Sequence, residues 1–336
     1  MNNKGFMSVT MIYSFFLVFL MILLLMMSES VSEKISLNKI KNSIKNDMAE
    51  VTLSEYIQNL YTGTQGENNL YYHDASLTNG AEDNSYRYSG ADPDNYVCFG
   101  SDESPCLEDN LYRIIYVKEG QVKLIKATVA NKNLLGMNGD YTSNTVYRWN
   151  YKADTTINKG QGSNDWGTSL LNKINLNTNY IDKIGETWAS KIATTEWQVG
   201  GTDWSNVSIA GIKNLYLKEM TTNASATYSA KIGLMYASDY GFATSQKYWG
   251  LPGYKYNSND IRKGKNENWL YTGNYEWTIT RNSSDAYDVL LVYYTGEISN
   301  AFASYSNNVV RPVFNLQSSV TYKSGDGTKI NPYRIN

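Results

Sequence analysis

The chain reads as an α+β protein: a long N-terminal α-helix, membrane span plus stalk, followed by a mixed, strand-rich domain with long loops. Three observations carry that expectation. Phe6 to Met27 is 22 residues without a charge, Gly or Pro. No Gly or Pro interrupts the chain from there to Tyr61. After Gly63 the composition turns to Asn, Gly, Ser, Thr and Tyr with short apolar runs between turn residues.

As a helix, 6–27 is about 33 Å long, enough to cross a hydrocarbon core of about 30 Å. A cleaved signal peptide is the alternative, with Ser28-Glu29-Ser30 as its small-residue site, but apolar regions of such peptides last about 7–15 residues. Beyond the span, Val31, Ile35, Ile40, Ile44, Met48, Val51, Ile57 and Leu60 recur mostly at helical steps, so an amphipathic stalk helix is expected over 28–62. Lysines on both sides of the span, Lys4 before it and Lys34, Lys39, Lys41 and Lys45 after it, leave its direction to other signals.

The start Lys4-Gly5-Phe6, followed by an apolar and then an amphipathic half, resembles the type IV pilin and pseudopilin signature. The resemblance implies a leader over 1–5, cleavage between Gly5 and Phe6 by a prepilin peptidase, and methylation of the new N-terminal Phe6. It implies membrane lipid and other pilin-like subunits as partners. The family carries Glu at the position of Thr10, where a charge would pair with a neighbour's amine in an apolar filament core; its absence speaks for a minor rather than a filament-building subunit. A simple single-pass anchor with a stalk is the plainer reading of the same length.

Residues 63–91 read as linker and first strand, and 92–336 as the globular domain. Strand-like runs follow in order: Ser85 to Ser89, Tyr96 to Phe99, Leu111 to Val117 and Gln121 to Val129, separated by turn chemistry such as Lys118-Glu119-Gly120. Trp166 reads as the anchor of a helix carried by Leu170, Leu171, Ile174 and Leu176. Strands are expected again over Ile192 to Val199, Ile232 to Met235, Leu270 to Arg281, Val289 to Tyr294 and Val309 to Leu316, with a hairpin turn at Ser324 to Thr328. Cys98 and Cys106 flank a short polar connection; they read as a disulfide, hence a domain on an oxidising, extracellular face, or as two buried thiols.

Tyr112-Arg113-Ile114-Ile115, the helix start from Trp166 to Asn172, Gly273-Asn274-Tyr275-Glu276-Trp277-Thr278 and Val310-Arg311-Pro312-Val313-Phe314 together resemble, in their order, a bacterial domain family related to the formylglycine-generating domain and, more distantly, to C-type lectins. The resemblance spans roughly 110–316 and implies a C-type-lectin-like fold used for recognition. It does not carry over the copper-dependent chemistry, because Cys98 and Cys106 precede the matching region.

With one His and two Cys among 336 residues, a His-based triad has only His73 to use and a four-cysteine zinc site is out of reach. His73 reads as a linker or domain-edge residue. No catalytic residue, metal or cofactor is expected. Beyond residue 61 the chain holds 25 basic against 27 acidic residues, so nucleic acid is not an expected partner. Glu276, set between Tyr275 and Trp277, needs a buried partner, and Arg311 is expected to form a structural ion pair with it. The 29 Tyr, 8 Trp and 38 Asn suit the binding of a glycan or protein ligand, and Tyr248, Trp249, Tyr254, Tyr256, Asn257, Tyr287 and Tyr305 are the candidate contact residues. The reading is a single-pass cell-membrane protein, pilin-like and adhesin-like, with its C-terminal domain outside the cell or in a pilus; the alternative is a structural minor pilin or pseudopilin.

Overall fold

The computed structural model describes residues 20–21, 51–151 and 160–336. The chain divides into two compact units, Met1–Val51 and Thr52–Asn336. The leader at Gly5 and Phe6, almost all of the span 6–27 and most of the stalk 28–62 lie outside the described residues. Among the described residues no helix is long and apolar enough to cross a membrane.

At the start of the second unit a fresh helix begins. Thr52 is extended (φ −65°, ψ 153°) and caps α1 (Leu53–Asn59). Its Oγ1 accepts from the Glu55 amide at 3.1 Å, while Glu55 Oε2 accepts from the Thr52 amide at 3.0 Å. This capping box satisfies donors that a helix start leaves open. Thr52 also bridges to Thr321, and Leu53 and Ile57 are fully buried. A helix running unbroken to Tyr61 is therefore corrected.

The principal remaining elements follow in order. The first strands are β1 (Leu70–Tyr72), β2 (Tyr86–Tyr88), β3 (Tyr96–Cys98), β4 (Leu111–Lys118), β5 (Gln121–Lys126), β6 (Tyr141–Ser143) and β7 (Val146–Tyr147). A π-helix (Leu171–Tyr180), β8 (Thr195–Gln198), α2 (Ile212–Thr221), β9 (Thr227–Ala230) and α3 (Ala237–Phe242) come next. The chain ends with β10 (Glu276–Arg281), β11 (Asp288–Val292), β12 (Ile298–Phe302), β13 (Val313–Asn315), β14 (Tyr322–Ser324) and β15 (Arg334–Ile335).

The expected fold class, a long helix followed by a C-type-lectin-like domain, is thus overturned. The described residues form a mixed α/β architecture of mostly strands and short helices, the longest helical run being Leu171–Tyr180 continued by Ile181–Ile184. Its centre is a six-stranded sheet in the order β1-β2-β4-β5-β13, with β3 pairing β4, beside a three-stranded sheet β10-β11-β12. β1 and β2 belong to the six-stranded sheet, so the unit begins at Thr52 and 63–91 is part of it.

Local chemistry sets the hairpins. Lys118 pairs with Gln121 across Glu119-Gly120, both at positive φ (50° and 77°), the left-handed pair whose twist matches a two-residue hairpin. β11 and β12 are joined by Tyr294-Thr295-Gly296, with Gly296 at φ 101°. The expected strand Ile232 to Met235 is reduced to a single bridge from Gly233 to Val313.

β4 and β5 are covered on both faces, although they carry Arg113, Lys123 and Lys126. Each of these buried cations is answered, as burial requires. Arg113 donates to Asn95 Oδ1 at 2.7 Å and Pro93 O at 2.9 Å, and Lys126 to Asp109 O at 2.8 Å. Lys123 Nζ lies 2.6 Å from Asp239 Oδ2, and Asp239 Oδ1 takes Arg87 of β2 at 3.3 Å. Asp83 completes the row with Arg87 at 3.0 Å; Arg87, with help from Ser85, Tyr216 and Lys118, holds its carboxyl well below the usual range despite burial.

Candidate functional site

Cys98 ends β3 and Cys106 lies in the loop before β4; the two form a disulfide, with Cα atoms 5.9 Å apart. Glu276 opens β10 and Arg311 precedes β13. Arg311 Nε donates to Glu276 Oε1 at 2.7 Å and Nη2 to Oε2 at 3.1 Å, with both side chains 2% exposed. Nη2 also donates to Leu270 O at 2.8 Å. The guanidinium therefore ties three segments together; the pair is closed to solvent and has the geometry of a strut.

The residues expected to contact a ligand are not one surface. Trp249 is fully buried, ringed by Tyr71, His73 and Phe242 at centroid distances of 5.1, 4.9 and 5.4 Å, and its Nε1 donates to Thr244 O at 2.7 Å. It is a core residue, because those rings together with the Thr244 carbonyl satisfy the whole indole. Tyr248 is half-buried and donates to Glu267 at 3.1 Å; Tyr254 is half-buried against Trp204 at 5.5 Å. Tyr256 and Asn257 are exposed on their loop. His73 is corrected as well: it lies in the core at 0% exposure, its Nδ1 accepts from the Ala81 amide at 2.9 Å, and burial holds its pKa well below the ordinary value.

Tyr287 and Tyr305, by contrast, belong to an aromatic group along the β11–β12 hairpin. Tyr275 just before β10 meets Tyr293 at 4.8 Å and Tyr294 at 5.1 Å, at the hairpin tip. Near the other end Tyr287 meets Phe302 at 5.6 Å, and Phe302 meets Tyr305 at 6.3 Å. Tyr294, Phe302 and Tyr305 are 50%, 37% and 52% exposed. Pairing fixes the spacing, since Val292 opposes Ile298 and Asp288 opposes Phe302, which sets rings at both ends of one short hairpin.

Such a row offers flat apolar faces and phenolic hydroxyls at low entropic cost, the chemistry of stacking on a sugar or on another protein. Sequence reasoning missed Phe302, whose outward place follows from β-alternation opposite Asp288 once the hairpin register is known. The strand expected over Leu270 to Arg281, which would have included Tyr275, begins only at Glu276.

The described residues contain no group of three or more His, Cys, Asp or Glu side chains placed to hold a metal ion. Fold and surface together define a strand-rich α/β domain with an exposed aromatic hairpin. No protein-family model matches the chain, and no curated protein or solved structure matches it either.

Proposed function

We propose that the protein is a membrane-anchored, pilin-like cell-surface protein whose domain recognises a glycan or protein ligand through the aromatic hairpin. The observation that carries the reading is the exposure of Tyr294 beside Tyr275 and Tyr293 at the hairpin tip, and of Phe302 and Tyr305, together with Tyr287, at its other end. The Cys98–Cys106 disulfide supports an extracellular domain, since such bonds persist on oxidising faces. The Lys4-Gly5-Phe6 start supports the pilin-like anchor.

Glycan and protein arrays probed with the full chain in neutral detergent test this. Saturable binding that falls roughly tenfold in Tyr294→Ala or Tyr305→Ala supports it. No binding, together with loss of filament assembly on deletion of the gene, supports the second reading, a structural minor pilin, which Thr10 in place of Glu favours.

A further inference from the structure

Lys123 Nζ and Asp239 Oδ2 are 2.6 Å apart, and their side chains are 1% and 2% exposed. The rings of Tyr236, Tyr116 and Trp197 lie around the ammonium at 4.5, 5.0 and 5.5 Å from it to the ring centres. Among the described residues this is the one lysine–carboxylate contact closed to water on both sides. The carboxylate nearest buried Lys126 is 85% exposed, and the pairs made by Lys118, Lys213, Lys247 and Lys329 reach solvent. Arg87, Arg113 and Arg311 are buried too, but a guanidinium stays protonated, whereas a lysine can give up its proton and become a nucleophile.

The carboxyl is set up as the matching electrophile. Asp239 Oδ1 accepts from Arg87 Nη1 at 3.3 Å and Oδ2 from the Tyr236 amide at 3.0 Å, donors that stabilise negative charge developing on these oxygens. The charge balance survives loss of the pair. Asp83, Arg87, Asp239 and Lys123 carry two negative and two positive charges, and with Lys123 and Asp239 neutralised Arg87 still holds Asp83 at 3.0 Å. Two ions kept away from water lose hydration that their mutual attraction recovers only in part, a cost that a neutral amide avoids.

We propose that Lys123 and Asp239 condense into an isopeptide bond, a covalent brace between β5 and α3. Along the 2.6 Å contact the ammonium passes a proton to Oδ2, leaving a neutral amine and a neutral acid. The Nζ lone pair then bonds to Cγ while Arg87 holds the charge on Oδ1. A second Nζ proton goes to Oδ2, the Cγ–Oδ2 bond breaks, and water departs as the Oδ1 carbonyl re-forms. Of the three ammonium hydrogens two leave in the water and one stays on the amide; nothing is oxidised or reduced. Glu219 is buried against the same turn, its Oε2 accepting from the Ser238 amide at 3.3 Å, and its carboxyl, pushed up by burial to about 7, can take and return a proton near neutral pH. Holding amine and acid in contact supplies the effective concentration that the two groups lack when free in water. The aromatic hairpin plays no part, so this bond and the proposed function stand or fall separately.

The test is tryptic digestion of the full chain, purified in neutral detergent and then denatured and reduced, followed by mass spectrometry. Trypsin does not cut after an acylated lysine. The peptide Glu119 to Lys126 is therefore expected joined to the peptide Ile232 to Lys247, at the sum of their masses less one water, with fragmentation placing the link at Lys123 and Asp239. Lys123→Arg keeps the positive charge but supplies no amine, and Asp239→Ala supplies no carboxyl; each is expected to lose the joined species completely and to return separate peptides. A parent that yields a peptide ending at Lys123 and a linear Ile232 to Lys247 holds an ordinary ion pair, and that result overturns the proposal whether or not either variant folds. A joined species that persists in Lys123→Arg, or one linked through other residues, overturns it as well.

Discussion

Thr280 donates its hydroxyl to Glu219 Oε1 at 2.5 Å, in a site where the two residues are 2% and 1% exposed. Glu219 projects from α2 and Thr280 from β10, so one hydrogen bond joins a helix to the three-stranded sheet. Burial, with a smaller contribution from Asp239, pushes the Glu219 carboxyl up from 4.5 to about 7, although bonds from Ser238 and Thr280 work in the opposite direction.

The raised carboxyl gives a signed pH dependence. Between about 4.5 and 7 the unfolded chain releases this proton while the folded chain keeps it, so the group's contribution to stability is full at low pH and falls as pH rises. The total is on the order of 3 kcal/mol. Glu219→Gln keeps an acceptor for Thr280 and has no proton to lose. Urea unfolding across that window should show the variant gaining on the parent as pH rises. Parallel pH profiles for the two proteins would rule out the raised carboxyl.

Arg311→Met leaves the Glu276 carboxylate buried without its partner. A loss of about 3–5 kcal/mol is expected by equilibrium unfolding. The double variant Glu276→Leu/Arg311→Met should recover most of that loss, because the pair's value lies in mutual compensation. A double variant as unstable as the single one would mean that the bond from Arg311 to Leu270 O carries the effect.

Replacing the disulfide by Cys98→Ala/Cys106→Ala frees a loop closed between residues eight apart. Loop-closure entropy puts the cost at about 2.5 kcal/mol. Denaturant titration of the double variant against the oxidised parent measures it. The parent in reductant should match the variant if loop closure is the source.

At the other end of the chain, mass spectrometry of the mature protein should find a methylated Phe6 if the pilin-type leader is processed. A start at Val31 would instead identify a signal peptide, and an intact Met1 an ordinary anchor.

The strands most legible beforehand were those with local signals. β4 and β5 stood out as apolar runs around Glu119-Gly120, and the hairpin there follows from left-handed backbone. The break at Thr52 was also written in the sequence, as Thr52 followed three residues later by Glu55, but it sits inside an otherwise continuous helical pattern. Trp249 and His73 were misplaced for one reason. Both lie in stretches whose composition suggests surface loops, and two of the rings that cover Trp249, Tyr71 and His73, come from a segment distant in the chain.

By itself, then, the sequence determined the apolar N-terminal run, the turn-bounded strands, the pairing-competent cysteines and the scarcity of catalytic side chains. Tertiary structure alone decided which charges are buried and which aromatics remain outside. Lys123 meets Asp239 across 116 positions of chain, and Tyr294 stays exposed while Trp249 does not. Burial depends on the segment that packs against a residue, and local pattern records only the residue's own side of that contact.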